Sequence, residues 1–354
     1  MLLKRLMLKR HRVAITLSRR LPHATFASRI SGYSVARCLS LSCAGSNYFQ
    51  QAFLHWGKSM SPNKELWEKG DFTRIAVCMR ESGEEIVESL AIRAGLKVLD
   101  LGCGDGTTAI PAAKLGADVL GVDIARNLVE AGAHRAQKLG LTNIRFQEGD
   151  ASDLVDLQDK SFDLVVSIFG AMFAPSPFDV AREMVRVTRS GGRIVMGNWI
   201  PNDPTLVAQI LKVSAAYSPP PPDGFVSPMT WGVEANVIER FAATGVSPES
   251  VSFRKDTCVF KFPHPPSELV DTFRRYYGPT MNAFAAAGQS GRADSLLSEL
   301  ETLFQSQNVS SGADTTMIPA TFLRVTVSVQ LASVVLIGRC SVDDSVSQDQ
   351  RRRQ

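Results

Sequence analysis

Between residues 97 and 199, short apolar segments alternate with helical segments, and this alternation constrains the fold more than any other feature. Five segments have the length and the Val, Ile and Leu content of buried strands: 97–101, 117–122, 143–147, 162–169 and 193–199. The segments between them include the predicted helices 128–139 and 178–188. The pattern predicts an α/β fold with a doubly wound, mostly parallel sheet and helices on both faces. Ligand sites in such sheets lie at the carboxyl ends of the strands.

A glycine-rich turn follows the first strand and reads Asp100-Leu101-Gly102-Cys103-Gly104-Asp105-Gly106-Thr107. Its three alternate glycines let the backbone turn tightly and approach a ligand where a Cβ would clash. Thr107 stands where a dinucleotide fingerprint needs its last glycine, and no Gly-Lys-Ser/Thr sequence belongs to this turn. Neither a dinucleotide site nor a Walker-type phosphate site is therefore predicted.

Acidic residues also end the second and third predicted strands. Asp123 closes the second strand, where a carboxylate can accept hydrogen bonds from both hydroxyls of a ribose. Asp150 follows the third strand within Glu148-Gly149-Asp150-Ala151 and could accept a hydrogen bond from an adenine amine. A single acid of this kind is more often a solvated cap. Three acids at successive strand ends, with Asp100 as the first, indicate a nucleoside-containing ligand.

The sequences Val98–Gly106, Gly121-Val122-Asp123 and Glu148–Ala151 together resemble the class I S-adenosylmethionine-dependent methyltransferases. Arg182–Ile194 looks like the helix and fifth strand of the same family. Within the family, the chain is most similar to the branch of the ubiquinone and menaquinone C-methyltransferases and related small-molecule enzymes. The resemblance spans roughly residues 62–330. It implies a Rossmann-like seven-stranded sheet with a helical substrate cover, and S-adenosyl-L-methionine as cofactor.

The resemblance also implies a role for individual residues. Gly102, Gly104 and Gly106 would pack against the methionine part of the cofactor, and Asp123 would hold the ribose hydroxyls. Ile124 would lie against the adenine, whose edge Asp150 and Ala151 would address. The full set of expected cofactor-binding residues is Asp100, Gly102, Cys103, Gly104, Gly106, Asp123, Ile124, Asp150, Ala151 and Ser167. The segment 167–173 would border both the cofactor and the methyl acceptor.

The acceptor is expected to be a small, mostly apolar or aromatic molecule. The segment after the fourth strand is apolar and offers no clamp for a planar amine, and the region after Trp199 is rich in aromatic residues. The candidates for the acceptor pocket are Phe72, Phe169, Met172 and Phe173. Phe72, together with Trp67, would belong to an N-terminal lid; simple packing on the core is an equally good interpretation of these two side chains.

The remaining parts of the chain complete the expected organisation. Ser61-Pro62 predicts a helix start, and Ser82-Gly83-Glu84-Glu85 has the form of a capping box that starts a second helix at Ser82. After residue 200, helices are predicted at 204–213, 234–244, 267–277 and 293–305, and sheet-completing strands at 251–262 and 322–329. The expected parts are a lid at 60–96, a cofactor-binding core at 97–200, a cover with sheet-completing strands at 201–337 and a flexible tail at 338–354.

Residues 1–59 differ from the rest of the chain in charge. The chain has 39 Lys and Arg against 35 Asp and Glu, but residues 1–60 hold ten of the basic and none of the acidic residues. That composition is typical of an organellar transit peptide. Equal alternatives are a disordered segment and sequence read through to a Met upstream of the true start at Met60. Localisation would be mitochondrial or otherwise organellar in the first case and cytoplasmic in the others.

The remaining residues carry 29 basic against 35 acidic side chains, which disfavours a nucleic-acid surface. The six cysteines form no CxxC pair and join no histidine at ligand spacing, so no metal site is expected. The uncharged run 325–338 has 14 residues, whereas a membrane-spanning helix needs roughly 20, so no integral membrane segment is predicted. The oligomeric state stays open.

No catalytic acid–base pair is evident, and the catalytic residues stay open. Beyond residue 60 the histidines are His134, on a predicted exposed helix face, and His264, in a proline-rich turn. Methyl transfer needs alignment and exclusion of water more than acid–base chemistry, so their placement agrees with a methyltransferase. Two alternatives are aminopropyl transfer, which the apolar segment after the fourth strand disfavours, and a non-catalytic S-adenosylmethionine-binding assembly or regulatory protein.

Overall fold

The computed structural model describes residues 61–330, and the expectations for residues 1–59 and 338–354 lie outside that range. The strands are β1 (Lys97–Leu101), β2 (Asp118–Asp123), β3 (Ile144–Glu148), β4 (Phe162–Ile168), β5 (Thr188–Trp199), β6 (Val251–Phe262) and β7 (Thr316–Ser328). The helices are α1 (Pro62–Glu68), α2 (Thr73–Ala76), α3 (Arg80–Glu88), α4 (Ala109–Lys114), α5 (Arg126–Lys138), α6 (Pro177–Val187), α7 (Leu206–Tyr217), α8 (Glu234–Ala242), α9 (Pro266–Tyr276), α10 (Gly278–Gln289) and α11 (Ala293–Gln307).

The seven strands form one sheet in the order β3-β2-β1-β4-β5-β7-β6. The first five strands are mutually parallel, and β7 runs antiparallel to both β5 and β6. The chain moves outward from β1 to β3 on one side and resumes at β4 on the other, so the switch point lies between β1 and β4. The doubly wound α/β sheet predicted from the sequence is confirmed, and its switch point places the ligand site above β1 and β4.

Both faces of the sheet are buried, as a doubly wound fold requires. In β1, Val98 packs with α3, α4 and α5, whereas Leu99 faces the opposite cluster with α6 and the cover helices α7 to α11. The same alternation recurs at Leu164 and Val165 of β4. Because successive strand residues point to opposite faces, a run of apolar residues supplies both layers of the core. Within residues 61–330, no helix combines the length and apolar character needed to cross a membrane.

The predicted capping box at Ser82 is wrong. Helix α3 begins at Arg80, and Ser82 lies within it with its hydroxyl buried. That hydroxyl accepts a hydrogen bond from the amide of Val259 at 2.9 Å and donates to the carbonyl of the same residue at 3.3 Å. The serine therefore pairs with the outer edge of β6 instead of capping its own helix. Helix α3 is joined to the edge of the sheet through this contact.

The cover contains a helix that periodicity did not predict. Helix α10 starts at Gly278-Pro279 and is rich in alanine, so it has no clear apolar stripe. A Cβ at Gly278 would lie 2.3 Å from the carbonyl oxygen of Leu66, which explains the glycine at this contact between α1 and α10. Strand β7 also begins at Thr316, six residues before the predicted start, because it pairs with β6 along the whole length of β6.

Candidate functional site

The glycine-rich turn after β1 is fixed by hydrogen bonds to the end of β2. The amide of Gly102 donates to the carbonyl of Val122 at 2.7 Å, and the amide of Gly104 donates to the carboxylate of Asp123 at 2.8 Å. Gly102 has a φ of +71°, and a Cβ there would lie 2.6 Å from the Cα of Gly170. Only glycine tolerates both this conformation and this approach. The loops after β1, β2 and β4 therefore meet at one point.

Asp123 lies at this meeting point with 8% of its surface exposed. One carboxylate oxygen accepts from Gly104, and the other accepts from the amide of Ala125 at 2.9 Å. Burial raises the pKa of Asp123, and the backbone amides that donate to it oppose that shift. Each oxygen has a second lone pair. Asp123 can therefore still accept hydrogen bonds from a ligand in the cavity that it lines together with Ile124.

Asp100 is fully buried and does not line the cavity, contrary to the expectation from sequence. The hydroxyl of Thr108 donates to one of its carboxylate oxygens, and the other oxygen has no partner among residues 61–330. Burial, together with the nearby charge of Asp123, raises the pKa of Asp100 to about 7, although the bond from Thr108 lowers it. Asp100 therefore lies in the protein interior behind the glycine-rich turn, where it binds Thr108.

Asp150 and Ala151 line the cavity beyond β3, as predicted. Ser152 donates its amide and its hydroxyl to one carboxylate oxygen of Asp150, at 2.8 and 2.6 Å. These bonds leave the other oxygen available to a donor from a ligand. Asp150 therefore has the hydrogen-bonding capacity that its predicted role requires.

Ser167 holds two loops together instead of facing the cavity. Its hydroxyl donates to the carbonyl of Leu101 at 2.5 Å and accepts from the amide of Ala171 at 2.9 Å. Its side chain is fully buried, and it does not line the cavity. Because one bond reaches the last residue of β1 and the other reaches the segment after β4, Ser167 links that segment to the strand that precedes the glycine turn.

Phe169, directly after β4, adopts a φ of +63°. This left-handed backbone conformation is unfavourable for residues other than glycine. Its amide donates to the carbonyl of Gly197 at 2.9 Å. Its ring stacks on Trp199 with a centroid separation of 3.8 Å and meets Phe322 edge-on at 5.0 Å. Such strain is retained where the surroundings fix a side chain, often at a functional site. Here it places an aromatic ring in the cavity wall.

These elements surround one cavity of about 1260 Å³, a volume that includes its open mouth. One part, the strand-end side, is lined by the glycine turn, Asp123 and Asp150. The other part, the inner side, is apolar and aromatic. Its walls are formed by Phe72, Phe169, Phe173, Trp199, Phe260 and Tyr277. The strand-end side and the inner side therefore adjoin within one continuous cavity.

Most predicted site residues line this cavity. On the strand-end side they are Gly102, Cys103, Gly104, Asp123, Ile124, Asp150 and Ala151, and on the inner side Phe72, Phe169 and Phe173. Asp100 and Ser167 lie behind it, as do Gly106 and Met172. A Cβ at Gly106 would lie 2.9 Å from the ring of Phe146, so this glycine serves helix packing. Met172 is buried in the core, on the far side of the short turn that holds Phe173.

Asp105 and Asn63 also line the cavity without having been predicted, and both are already paired. The carboxylate of Asp105 is 2.7 Å from Arg80 of α3 and 3.1 Å from Arg135 of α5. Asn63 of α1 accepts a hydrogen bond from the indole of Trp67 at 3.2 Å. The ion pair between Arg80 and Asp105 joins the N-terminal helices to the glycine turn.

An aromatic cluster joins α1 and the residues directly before α2 to the inner side of the cavity. The ring of Trp67 lies 5.0 Å from that of Phe173, 5.9 Å from that of Phe72 and 6.0 Å from that of Tyr277, all in edge-on geometry. Phe72 and Tyr277 are 6.2 Å apart. Edge-on aromatic pairs contribute beyond their buried area. Trp67 and Phe72 thus pack on the core and also line the cavity.

Several residues of the inner side come from the cover and were missed. Cys258 and Phe260 lie two residues apart on β6 and so point to the same face, a signal that the alternation of that strand contained. Tyr277 and Phe273 flank the end of α9, and only the packing of α9 against the lid brings them to the cavity. Burial raises the pKa of Cys258 to about 12 and that of Cys103 well above its usual value, so both thiols stay protonated.

The histidines lie away from the cavity. His134 is exposed on α5, and His264 is exposed with its ring nitrogen 3.7 Å from the carboxylate of Glu268. Within residues 61–330, no three His, Cys, Asp or Glu side chains come together in the way that a metal site requires. The cavity thus combines hydrogen-bond acceptors on one side with an apolar wall on the other.

Residues 92–237 match a family model described as a methyltransferase domain. Two uncharacterised proteins of Mycobacterium tuberculosis are each 32% identical to the chain. One aligns over 229 residues, which are 64% of this chain and 81% of that protein. The other aligns over 256 residues, which are 70% of this chain and 89% of that protein.

A protein of Bacillus subtilis with the name of an uncharacterised methyltransferase, YcgJ, is 33% identical over 128 residues, which are 35% of this chain and 50% of that protein. Its crystal structure superimposes with a TM-score of 0.46 at 20% identity and covers 70% of this chain and 98% of its own.

Proposed function

This chain belongs to the class I S-adenosylmethionine-dependent methyltransferases, and we propose that it methylates a small, mostly apolar or aromatic metabolite. Its cofactor is S-adenosyl-L-methionine. The observation that carries the proposal about the acceptor is the inner side of the cavity. This apolar and aromatic wall adjoins the strand-end side, so a ligand bound there would lie directly beside the cofactor.

The chemistry of the strand-end side fits the cofactor. We propose that Asp123 accepts hydrogen bonds from the ribose hydroxyls, because its carboxylate lines the cavity with acceptor capacity to spare. Asp150, with Ile124 and Ala151, is proposed to hold the adenine. Gly104 has a φ of +54°, and a Cβ there would meet nothing closer than the ring of Phe72 at 4.0 Å. The backbone at Gly104 thus leaves room for the amino-acid part of the cofactor.

Bound S-adenosyl-L-methionine supplies an electrophilic methyl group on a positively charged sulfur. The residues of the chain must align the acceptor with that group and exclude water. Phe72, Phe169 and Tyr277 line the inner side with aromatic rings. The faces of such rings also attract a cation. No proton needs to be moved by a dedicated base when the acceptor arrives ionised, which suits a cavity that neither His134 nor His264 lines.

Charge supports a small acceptor instead of a nucleic acid. The residues after residue 60 are acidic in balance, so a polyanion would be repelled over most of the surface. Among residues 61–330, the acids that line the cavity lie on its strand-end side, and the inner side contributes no carboxylate. An apolar ligand with few polar groups matches such a wall, because binding pockets are mostly apolar with a small number of polar anchors.

The proposal is tested by following a labelled methyl group in one lysate. Purified protein and labelled S-adenosyl-L-methionine are added, and label is counted in the small-molecule, nucleic-acid and protein fractions. We expect label chiefly among small molecules, with strong loss for Phe173→Ala and none for Phe178→Ala, an exposed phenylalanine outside the cavity. Label chiefly in nucleic acid or protein would contradict the proposal. Cofactor binding without label in any fraction would favour a non-catalytic role.

A further inference from the structure

Tyr277 occupies a fixed position at the inner side of the cavity. It lies between α9 and α10, where its amide donates to the carbonyl of Phe273 at 3.0 Å and its carbonyl accepts from Met281 at 2.9 Å. Its ring packs edge-on against Phe273 at 5.4 Å and against Trp67 at 6.0 Å. Backbone and ring are therefore both held, and the position of the hydroxyl is fixed with them.

The hydroxyl of Tyr277 has no hydrogen-bond partner among residues 61–330, although the residue is only 5% exposed. Tyr217 gives the contrast, because it is 7% exposed and its hydroxyl donates to the carboxylate of Glu299 at 2.6 Å. The hydroxyl oxygen of Tyr277 is not among the unpaired side-chain atoms that the protein buries completely, so a ligand in the cavity that Tyr277 lines can reach it. The unpaired hydroxyl of a cavity-lining tyrosine thus points to a ligand as its partner.

The charge state of Tyr277 limits the kind of partner. Burial raises the pKa of its phenol far above the usual value, so the hydroxyl stays protonated and acts as a hydrogen-bond donor and not as a base. A cationic amine would need a carboxylate close by, and the cavity-lining acids Asp105, Asp123 and Asp150 all lie on the strand-end side. A neutral or anionic oxygen is the group that a protonated phenol in an apolar wall can recognise.

We propose that Tyr277 donates a hydrogen bond to an oxygen atom of the methyl acceptor and thereby positions it on the inner side of the cavity. The inference rests on the proposed function and extends it: the acceptor is an apolar or aromatic molecule that carries a carbonyl or phenolic oxygen. Tyr277 is a positioning residue, because it acts on the orientation of the acceptor and not on the transferred methyl group.

The test uses acetophenone and ethylbenzene, two probes of the same skeleton that differ in one carbonyl oxygen. Calorimetry measures the affinity of each for the full-length protein saturated with S-adenosylhomocysteine. In Tyr277→Phe we expect the affinity for acetophenone to fall about five- to tenfold, the effect of one hydrogen bond. The affinity for ethylbenzene should change by less than about twofold, because ring packing is preserved.

Tyr217→Phe is the matched control, since it removes a paired hydroxyl that does not line the cavity. It should leave both probe affinities unchanged and lower the melting temperature of the ligand-free protein. Tyr277→Phe should melt no lower than the wild type, because it removes an unpaired hydroxyl. An equal change in both probe affinities, an unchanged affinity for acetophenone, or no binding of acetophenone to the wild type would overturn the inference.

The affinity for S-adenosylhomocysteine separates the two proposals. We expect it to be the same in the wild type and in Tyr277→Phe. If the wild type failed to bind S-adenosylhomocysteine, the proposed function itself would be contradicted. If S-adenosylhomocysteine bound normally and the two probes did not distinguish tyrosine from phenylalanine, only the role of Tyr277 would be wrong.

Discussion

The two sides of the cavity are built in different ways. On the strand-end side, polar groups come from three loops after parallel strands, and backbone amides hold them in place, as Gly104 and Ala125 hold Asp123. On the inner side, rings from the lid, the segment after β4 and the cover pack against one another, as Trp67, Phe173 and Tyr277 do. Hydrogen bonds from the backbone fix the polar side chains of the strand-end side, whereas the packing of ring surfaces fixes the aromatic side chains of the inner side.

This difference determines which substitutions each side of the cavity tolerates. A carboxylate held by two amides depends on the exact course of the backbone, so the strand-end side is sensitive to changes in single glycines and acids. An aromatic wall depends on volume, and cores tolerate swaps that conserve volume at a cost of less than about 1.5 kcal/mol. The same strand-end side could therefore serve many methyl acceptors if only the residues of the inner side were changed.

The largest expected effect is on the backbone of the strand-end side. Gly102→Ala should destabilise the protein by roughly 2–5 kcal/mol, because its φ of +71° is strained for alanine and the Cβ would lie 2.6 Å from Gly170. Gly104→Ala is the matched control, since it has a positive φ but no atom closer than 4.0 Å to the added Cβ. It should cost about 1–2 kcal/mol. Urea unfolding measures both, and equal losses would contradict the tight contact.

The second effect concerns the acid behind the strand-end side. Burial raises the pKa of Asp100 from 3.8 to about 7, so between these values the folded protein keeps a proton that the unfolded chain has released. This contribution is full at low pH and is lost as the pH rises through 7. Relative to Asp100→Asn, which cannot ionise, the wild type should lose about 2–3 kcal/mol of stability between pH 5 and pH 8.

Unfolding in urea at several pH values tests this prediction for Asp100. Asp118→Asn, at an exposed position at the start of β2, is the control and should follow the wild type across the range. Parallel stability curves for the wild type and Asp100→Asn would mean that Asp100 is not desolvated in the folded protein. Its place behind the cavity would then have to be revised.

The third effect is on cofactor affinity. Asp123→Ala should weaken the binding of S-adenosylhomocysteine by roughly 1.5–3 kcal/mol, the usual loss for hydrogen bonds to a charged group. Phe173→Ala, on the inner side, should change this affinity by less than about twofold, since it belongs to the other side of the cavity. Calorimetry on residues 60–354 measures both. Wild-type affinity in Asp123→Ala would show that the ribose is held elsewhere.

The strand-end side was largely predictable from the sequence because its signals are local. A strand, its glycines and the acid that follows it are neighbours in the chain, so Gly104, Asp123 and Asp150 could be placed without knowledge of the tertiary structure. What local pattern could not show is which way a buried side chain faces. Asp100, Ser167 and Met172 were expected at the site, and each lies behind it because hydrogen bonds or packing turn it toward the core.

The inner side was harder to predict because distant segments build it. Phe72 and Phe173 were identified from the family resemblance and the apolar segment after β4, but Tyr277 becomes part of the wall through the packing of α9 and α10 against the lid. Helix α10 was missed for a related reason. Its alanines and its glycine at the contact with Leu66 suit close packing of backbones, which leaves no apolar stripe in the sequence.

The smallest expected effect separates the two ways in which α1 is held. Lys64 of α1 forms ion pairs with Glu68 at 3.5 Å and, across the strand-end side, with Glu148, which also meets Arg126 at 2.9 Å. The carboxylate of Glu148 is partly exposed, so solvent and salt screen these pairs. Lys64→Ala should therefore cost less than about 1 kcal/mol, and the difference from the wild type should shrink as salt is added.

Trp67→Ala on the same helix provides the comparison for Lys64→Ala. It removes three edge-on aromatic contacts, so it should cost clearly more than Lys64→Ala, and its cost should not depend on salt. Thermal unfolding of both variants at low and high ionic strength decides between the two kinds of contact. If Lys64→Ala were the more damaging change and its effect persisted at high salt, charge and not aromatic packing would hold the N-terminal helix over the cavity.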